Sequence, residues 1–332
     1  MTRTARRRWS REFSGEIDGI VLGERGPVCI HGYDPPVAGK WIDNVIPGKL
    51  VAYDRNSGDH AWTSPCEVGY GRGFGSGLGR EDDVVLIGPS LKGYRIARMT
   101  LASGELIGAS EIQPFDQGIV YGDMSVTVSH DRVCGIMTDA MLEVWTHLRD
   151  EELYHWVARA DADSPYAFVV YTNASTRRQG VLRLDIESGD FIDTFVPPEF
   201  AVIHELAASQ GTVVLLVGDR APSRFRQSSG PGNLRLEAFR ADAPVGSEAQ
   251  AMWREGVADD SPDELPDVNI AMDSGKLYVA SGALLEVRDG LSGRALGDMT
   301  LPGLDERIAW KVSQGAGLLA EETRASVFEL PA

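Results

Sequence analysis

Four stretches of this chain repeat one local design, and that repetition limits the fold more than any other feature. Leu50–Trp62, LVAYDRNSGDHAW, reads as a strand, a tight turn and a second strand. Weaker copies are YRIARMTLASGELIG (Tyr94–Gly108), VLRLDIESGDFIDTF (Val181–Phe195) and LLEVRDGLSGRALGDM (Leu284–Met299). In each, turn-forming side chains precede a glycine that permits positive φ. The closing glycines, Gly58, Gly104, Gly189 and Gly293, are spaced by one unit of about 46 residues and then by about two such units each time. A unit of that length is the period of a four-stranded propeller blade.

The units share an internal order. A short run of Val, Ile and Leu comes first, as in Asp82–Gly88, Gly211–Gly218 and Gly275–Ser281, and suits a strand buried on both faces. An alternating strand follows, then the turn. A last strand often carries tryptophan: Trp62, Trp156 or Trp253. The template predicts an all-β, seven-bladed β-propeller in a single domain, residues 1–332. Its blades span about 15–65, 66–112, 117–158, 164–198, 200–255, 265–302 and 304–332 with 1–14. Blade one carries an insertion at Tyr33–Pro47 and blade five a polar one at Arg220–Asn233, and in blade three His147–Leu153 replaces the turn. The last unit holds only three strands, and Arg6–Phe13, RRRWSREF, supplies the fourth. Closure by the two chain ends removes exposed sheet edges. Asp150–Ala160, DEELYHWVARA, comes nearest to a helical pattern and reads as a strand.

Gly48–Trp62, GKLVAYDRNSGDHAW, resembles the quinoprotein (PQQ-like) β-propeller repeat, with Gly282–Arg294 and Gly180–Asp190 matching more loosely. In the wider sense these repeats are WD40-like. The resemblance implies the fold. Members include quinone-dependent dehydrogenases and proteins that bind no quinone and act in assembly or recognition. The dehydrogenases carry an adjacent cysteine pair against the cofactor, whereas Cys29, Cys66 and Cys134 are isolated here. No cofactor is therefore expected, PQQ included, and the alternative is a divalent cation such as Ca²⁺. The thiols are expected to be buried and free, as in a reducing compartment.

A net charge of −17 argues against a nucleic-acid partner, which requires clustered positive surface. The basic N-terminus is followed by SGEIDGIVLGERG, broken by Glu16, Asp18 and Glu24, and not by the apolar run of an export signal. No stretch has the apolar length of a membrane span. A cytoplasmic protein without membrane contact is expected.

Candidate site residues come from the connectors between blades, because rigid strand ends converge on a propeller channel. The connector into blade two, Val68–Gly79, offers Tyr70, Arg72 and Phe74 for stacking and anion binding, among glycines that let a backbone approach a ligand. It lacks the lysine and following helix of a phosphate-binding loop. Other connectors contribute Asp116, Tyr121 and Asp123, then His204 and Glu205 as base or metal ligand. The acidic run 259–269 ends in Asn269, and the connector into blade seven offers Arg307 and Trp310. His31–Pro36, HGYDPP, is a candidate partner surface at the opposite end. No nucleophile elbow, zinc motif or dinucleotide fingerprint is present. The expected function is non-catalytic: a recognition or scaffold module binding a protein or small ligand at a channel mouth. The alternative is a channel-site lyase, cyclase or hydrolase, with or without a divalent metal.

Overall fold

The computed structural model describes residues 3–22, 26–33, 48–66, 68, 74–79, 83–90, 93–159, 164–195, 201–218, 234–242, 251–257, 268–307 and 309–330. The chain is all-β, and its strands form the seven antiparallel blades of a β-propeller. They fall into two compact units.

The first unit holds Ala5–Leu148 and Glu306–Ala332. Blade one is β3 (Glu16–Val21), β4 (Val28–Tyr33), β5 (Gly48–Tyr53) and β6 (His60–Cys66). Blade two is β7 (Gly75–Leu78), β8 (Asp83–Ser90), β9 (Gly93–Thr100) and β10 (Leu106–Ile112). Blade three is β11 (Gln117–Tyr121), β12 (Met124–Val128), β13 (Arg132–Met137) and β14 (Leu142–Leu148). Blade seven is β27 (Ala309–Ser313), β28 (Ala316–Ala320) and β29 (Arg324–Glu329), completed by the N-terminal β2 (Arg6–Glu12). That strand runs antiparallel to β29, with Arg7 opposite Phe328 and Glu12 opposite Arg324. Closure by the N-terminal segment is thus present as the incomplete last repeat implied.

The second unit holds Met1–Thr4 and Arg149–Asp305. Blade four is β15 (Glu152–Arg159), β16 (Tyr166–Asn173), β17 (Gln179–Asp185) and β18 (Phe191–Phe195). Blade five is β19 (Val202–Ser209), β20 (Thr212–Gly218), β21 (Arg235–Arg240) and β22 (Trp253–Gly256). Blade six is β23 (Val268–Asp273), β24 (Lys276–Ser281), β25 (Leu284–Asp289) and β26 (Ala295–Thr300), extended by a short parallel strand, β1 (Arg3–Thr4).

The core lies between the faces of neighbouring sheets. Val21, Cys29, Leu50 and Trp62 of blade one meet Val84, Leu86, Ala97 and Met99 of blade two. Leu216, Leu236 and Ala238 of blade five meet Ile270, Leu277 and Val279 of blade six in the same way. The second strand of each blade carries the aliphatic run because both of its faces are covered; every residue of β12, β20 and β28 is buried. All three cysteines are buried and free.

The repeated turn is built as its sequence implies. The Asp54 carboxylate accepts the backbone N–H groups of Asn56 and Ser57 at 2.9 and 2.8 Å, and Gly58, at φ 70°, donates its N–H to the Asp54 carbonyl. The two N–H bonds to its carboxylate hold the Asp54 carboxyl below its ordinary pKa, and at Asp289 the Ser292 hydroxyl and then its N–H do the same.

Two sequence assignments are corrected. The aliphatic runs were placed as the first strands, but they are the second; the first strands are the segments taken as connectors. Glu152–Arg159 is a strand, yet it opens blade four and does not end blade three, whose outer strand is Leu142–Leu148. Trp156 accordingly sits on a first strand. The misassignment has a physical source. A first strand has a sheet neighbour on one edge only and mixes apolar residues with Gly and polar ones, as in GSGL, VIHELAAS and AWKVS, so it lacks the continuous aliphatic run.

Candidate functional site

In the first unit the first strands β27, β3, β7 and β11 lie side by side, with a parallel bridge between Gly79 and Gly122. Close approach, not ligand access, explains the glycines of β7. A Cβ at Gly75 would meet the Gly118 carbonyl at 2.6 Å, and one at Gly77 would meet Val120 at 2.8 Å. A Cβ at Gly79 would collide with the Asp83 carboxylate, which is buried in an ion pair with Arg98 at 2.6 Å.

Phe74 is half-buried at the head of β7. It stacks on His31 with ring centroids 4.8 Å apart, and its ring occupies the space over Gly19. His31 is fully buried on β4 and hydrogen-bonds the Val68 backbone; burial pushes its pKa down to about 4. Its burial removes His31 from the exposed partner surface read at His31–Pro36, whose last three residues lie outside the described ones. Two residues beyond Phe74, the Ser76 hydroxyl donates to the Ile20 carbonyl of β3 at 3.1 Å. Lys311 of β27 reaches past β3 to the same residue, donating to the Ser76 carbonyl at 3.2 Å and its hydroxyl at 3.4 Å. Enclosure by protein lowers the Lys311 pKa to about 8, although part of the side chain remains accessible.

The other candidates of this unit are dispersed. Asp116 is exposed before β11, where its charge helps to raise the Tyr94 pKa, a shift led by burial. Asp123 lies between β11 and β12 and accepts the Thr138 N–H on its backbone carbonyl at 2.8 Å. Trp310 neighbours Lys311 on β27, opposite Leu319, and Arg307 is half-buried just before that strand. Tyr70 and Arg72 lie outside the described residues, and so does the side chain of Tyr121.

In the second unit, His204, Glu205 and Asn269 lie on first strands. His204 is the extra residue of a bulge in β19, and its ring sits beside Gly218, whose Cβ would come 2.6 Å from Nε2. Burial lowers its pKa. Glu205 accepts the Ile270 N–H of β23 at 2.7 Å, so its carboxylate ties two blades together. Asn269 donates to the carbonyl of its neighbour Val268. Among the described residues no three His, Cys, Asp or Glu side chains gather as a metal site.

A different surface went unread in the sequence. The outer strands β10 and β14 expose Leu106 (58%), Ile107 (52%), Leu142 (60%), Val144 (45%) and Leu148 (64%). Ile107 and Val144 are the extra residues of two bulges. The two strands are joined where the Met141 side chain covers Gly108 and where the Gln113 N–H donates to Glu143 at 3.2 Å. Exposed Glu105, Glu111 and Glu143 border the apolar residues. The signal was available: LEVWTHL places apolar residues two apart on the last strand of its blade, where no further blade strand covers them.

The fold likeness is to β-propellers. The WD40 domain of Pan2 from Neurospora crassa superposes with a TM-score of 0.61 at 12% identity, covering 99% of this chain and 98% of that one. BamB from Moraxella catarrhalis gives a TM-score of 0.48 at 13% identity, covering 98% and 100%. No protein-family profile matches the chain, and no curated protein sequence matches it.

Proposed function

We propose that the protein is a recognition scaffold that holds a basic, apolar segment of a partner protein against the outer strands β10 and β14. The observation that carries this reading is the row of five exposed large apolar side chains on those two joined strands. Single exposed leucines are ordinary, but five large apolar side chains exposed on two neighbouring strands mark a contact surface. Glu105, Glu111 and Glu143 border the row in a chain of net charge −17, so a cationic partner is favoured by charge and an acidic one repelled. The WD40 likeness fits such a role at the level of fold only. This placement moves the expected contact from a channel mouth to the outer edge of blades two and three.

The test is photo-crosslinking from position 109 in the native host, repeated in Leu142→Glu and Leu148→Glu variants. One basic partner captured by the natural protein and lost from both variants supports the reading, provided the variants melt at the natural temperature. Leu291→Glu, an exposed leucine in the turn before β26, serves as the control that must keep the partner. Equal capture by all three variants would sink the proposal.

A further inference from the structure

We infer that Lys311 and Ser76 form a binding site for a small oxyanion, a carboxylate or phosphate group, on the wall of first strands in blades seven, one and two. This site is separate from the outer strands and does not rest on partner docking there.

The geometry begins with the donor count. A lysine ammonium presents three N–H donors. Both acceptors it meets belong to one residue, Ser76, through the carbonyl at 3.2 Å and the hydroxyl at 3.4 Å. Among the described residues no carboxylate lies within ion-pair distance of Lys311. Among the described residues, other enclosed cations have their carboxylates: Arg98 has Asp83 at 2.6 Å, Arg235 has Glu237 at 2.5 Å, and Arg288 has Glu286 at 2.8 Å. An enclosed charge without a counter-ion is costly, and a polar but neutral partner only partly offsets that cost.

The position is also built, not incidental. The Ser76 hydroxyl is fixed by donating to the Ile20 carbonyl, so it turns its lone pairs towards Lys311. The lysine side chain passes β3 to reach β7, which pins Nζ against a backbone edge and leaves part of the side chain accessible. An oxyanion entering there would meet a held ammonium and complete its third donor. Its negative charge would supply the missing counter-ion. The lowered proton affinity of Lys311 has the same origin: burial disfavours the cation, and among the described residues no carboxylate offsets it. A neutral ligand would not change that balance, whereas an anion would.

The experiment uses the full chain and two probes, inorganic phosphate and acetate, with chloride at equal ionic strength as the blank. Lysine methyl groups introduced by ¹³C reductive methylation report the proton affinity directly, and the signals come from Lys40, Lys49, Lys92, Lys276, Lys311 and the N-terminal amine. The Lys311 signal, assigned from its loss in Lys311→Gln, is expected to titrate near pH 8 in chloride. With a bound oxyanion its titration should move up by about one unit, a tenfold tighter hold on the proton. Thermal melting gives the second readout: a higher midpoint in the natural protein and none in Lys311→Gln. A response to phosphate alone assigns a phosphate-bearing ligand; a response to acetate alone assigns a carboxylate. No shift with either probe overturns the site, as does equal stabilisation of Lys311→Gln. If that variant fails to fold, Lys311→Arg, which keeps the charge and carries no methylatable amine, supplies the assignment instead.

Discussion

The indole N–H of Trp62 donates to the Leu101 carbonyl across 2.9 Å, so the outer strand of blade one is bolted to the turn of blade two. The ring lies on Gly104, which sits at φ 71° in that turn. The same device recurs twice. Trp9 of β2 donates to the Arg55 carbonyl at 3.0 Å and covers Gly58; Trp253 of β22 donates to the Gly290 carbonyl at 2.9 Å and covers Gly293. The repeated Ser-Gly turn is therefore a receptor for the previous blade's tryptophan as well as a reversal of the chain.

That arrangement makes Gly104 sensitive in two ways. Gly104→Ala would place a Cβ inside the indole and force a positive φ on an L side chain. A loss of about 2–4 kcal/mol is expected. Trp62→Phe keeps much of the apolar cover and forfeits the hydrogen bond, for about 1–2 kcal/mol. Urea denaturation of the two variants should rank them in that order; a neutral Gly104→Ala would contradict the lock.

Asp83 is 1% exposed, and its partner Arg98 also bonds Asp139 at 3.1 Å. Asp83→Ala would leave an enclosed guanidinium and should cost about 3–5 kcal/mol. Removing both charges, as Asp83→Leu with Arg98→Met, should recover most of that loss. A double variant no better than the single one would show that the pair is not the cause.

His31 makes the fold sensitive to acid. Its folded pKa, pushed down to about 4, lies below the ordinary value of 6.5 in the unfolded chain. The unfolded chain therefore takes up this proton first, and protonation favours unfolding. Stability from His31 is complete above pH 6.5 and is lost as pH falls towards 4, by up to about 3 kcal/mol. Melting temperatures between pH 7 and 4 should fall less steeply in His31→Phe; parallel curves would remove His31 as the source.

The thiols should be silent in the native protein. Cys29 is fully buried and its pKa is raised to about 12 by burial, and burial also raises that of Cys134. A thiol-specific chromogenic reagent at pH 8 should react only as the chain unfolds. A prompt stoichiometric reaction would mean that one of these sites opens locally.

The hairpin repeats were legible because their chemistry is local. Asp54, Ser57 and Gly58 bond within a few residues, and their pattern survives in sequence. The first strands were not legible, since what holds them is distant. Glu205 answers Ile270, Lys311 answers Ser76, and Gly77 exists for Val120. A local trace was nevertheless present. Gln210-Gly211, Ser274-Gly275 and Gln314-Gly315 each adopt two consecutive positive φ values, the geometry of a two-residue hairpin turn, and they mark where blades five, six and seven pass from first to second strand. Of the proposed site residues, Phe74 directly precedes β7 and Trp310 adjoins Lys311 on β27, while nothing local in the sequence links Lys311 to Ser76. The exposed strip on β10 and β14 stayed hidden for a related reason: a leucine on an outer strand has the same letter as one in the core.

The pairing of Arg6–Glu12 with Arg324–Glu329 also sets a schedule. A ribosome delivers the first of these strands some three hundred residues before the second. Throughout synthesis, Trp9 has its turn receptor on blade one but its own strand has no sheet to join. Blade seven can be finished only once Arg324–Glu329 has been made, so its closing contacts span nearly the whole described sequence and form late.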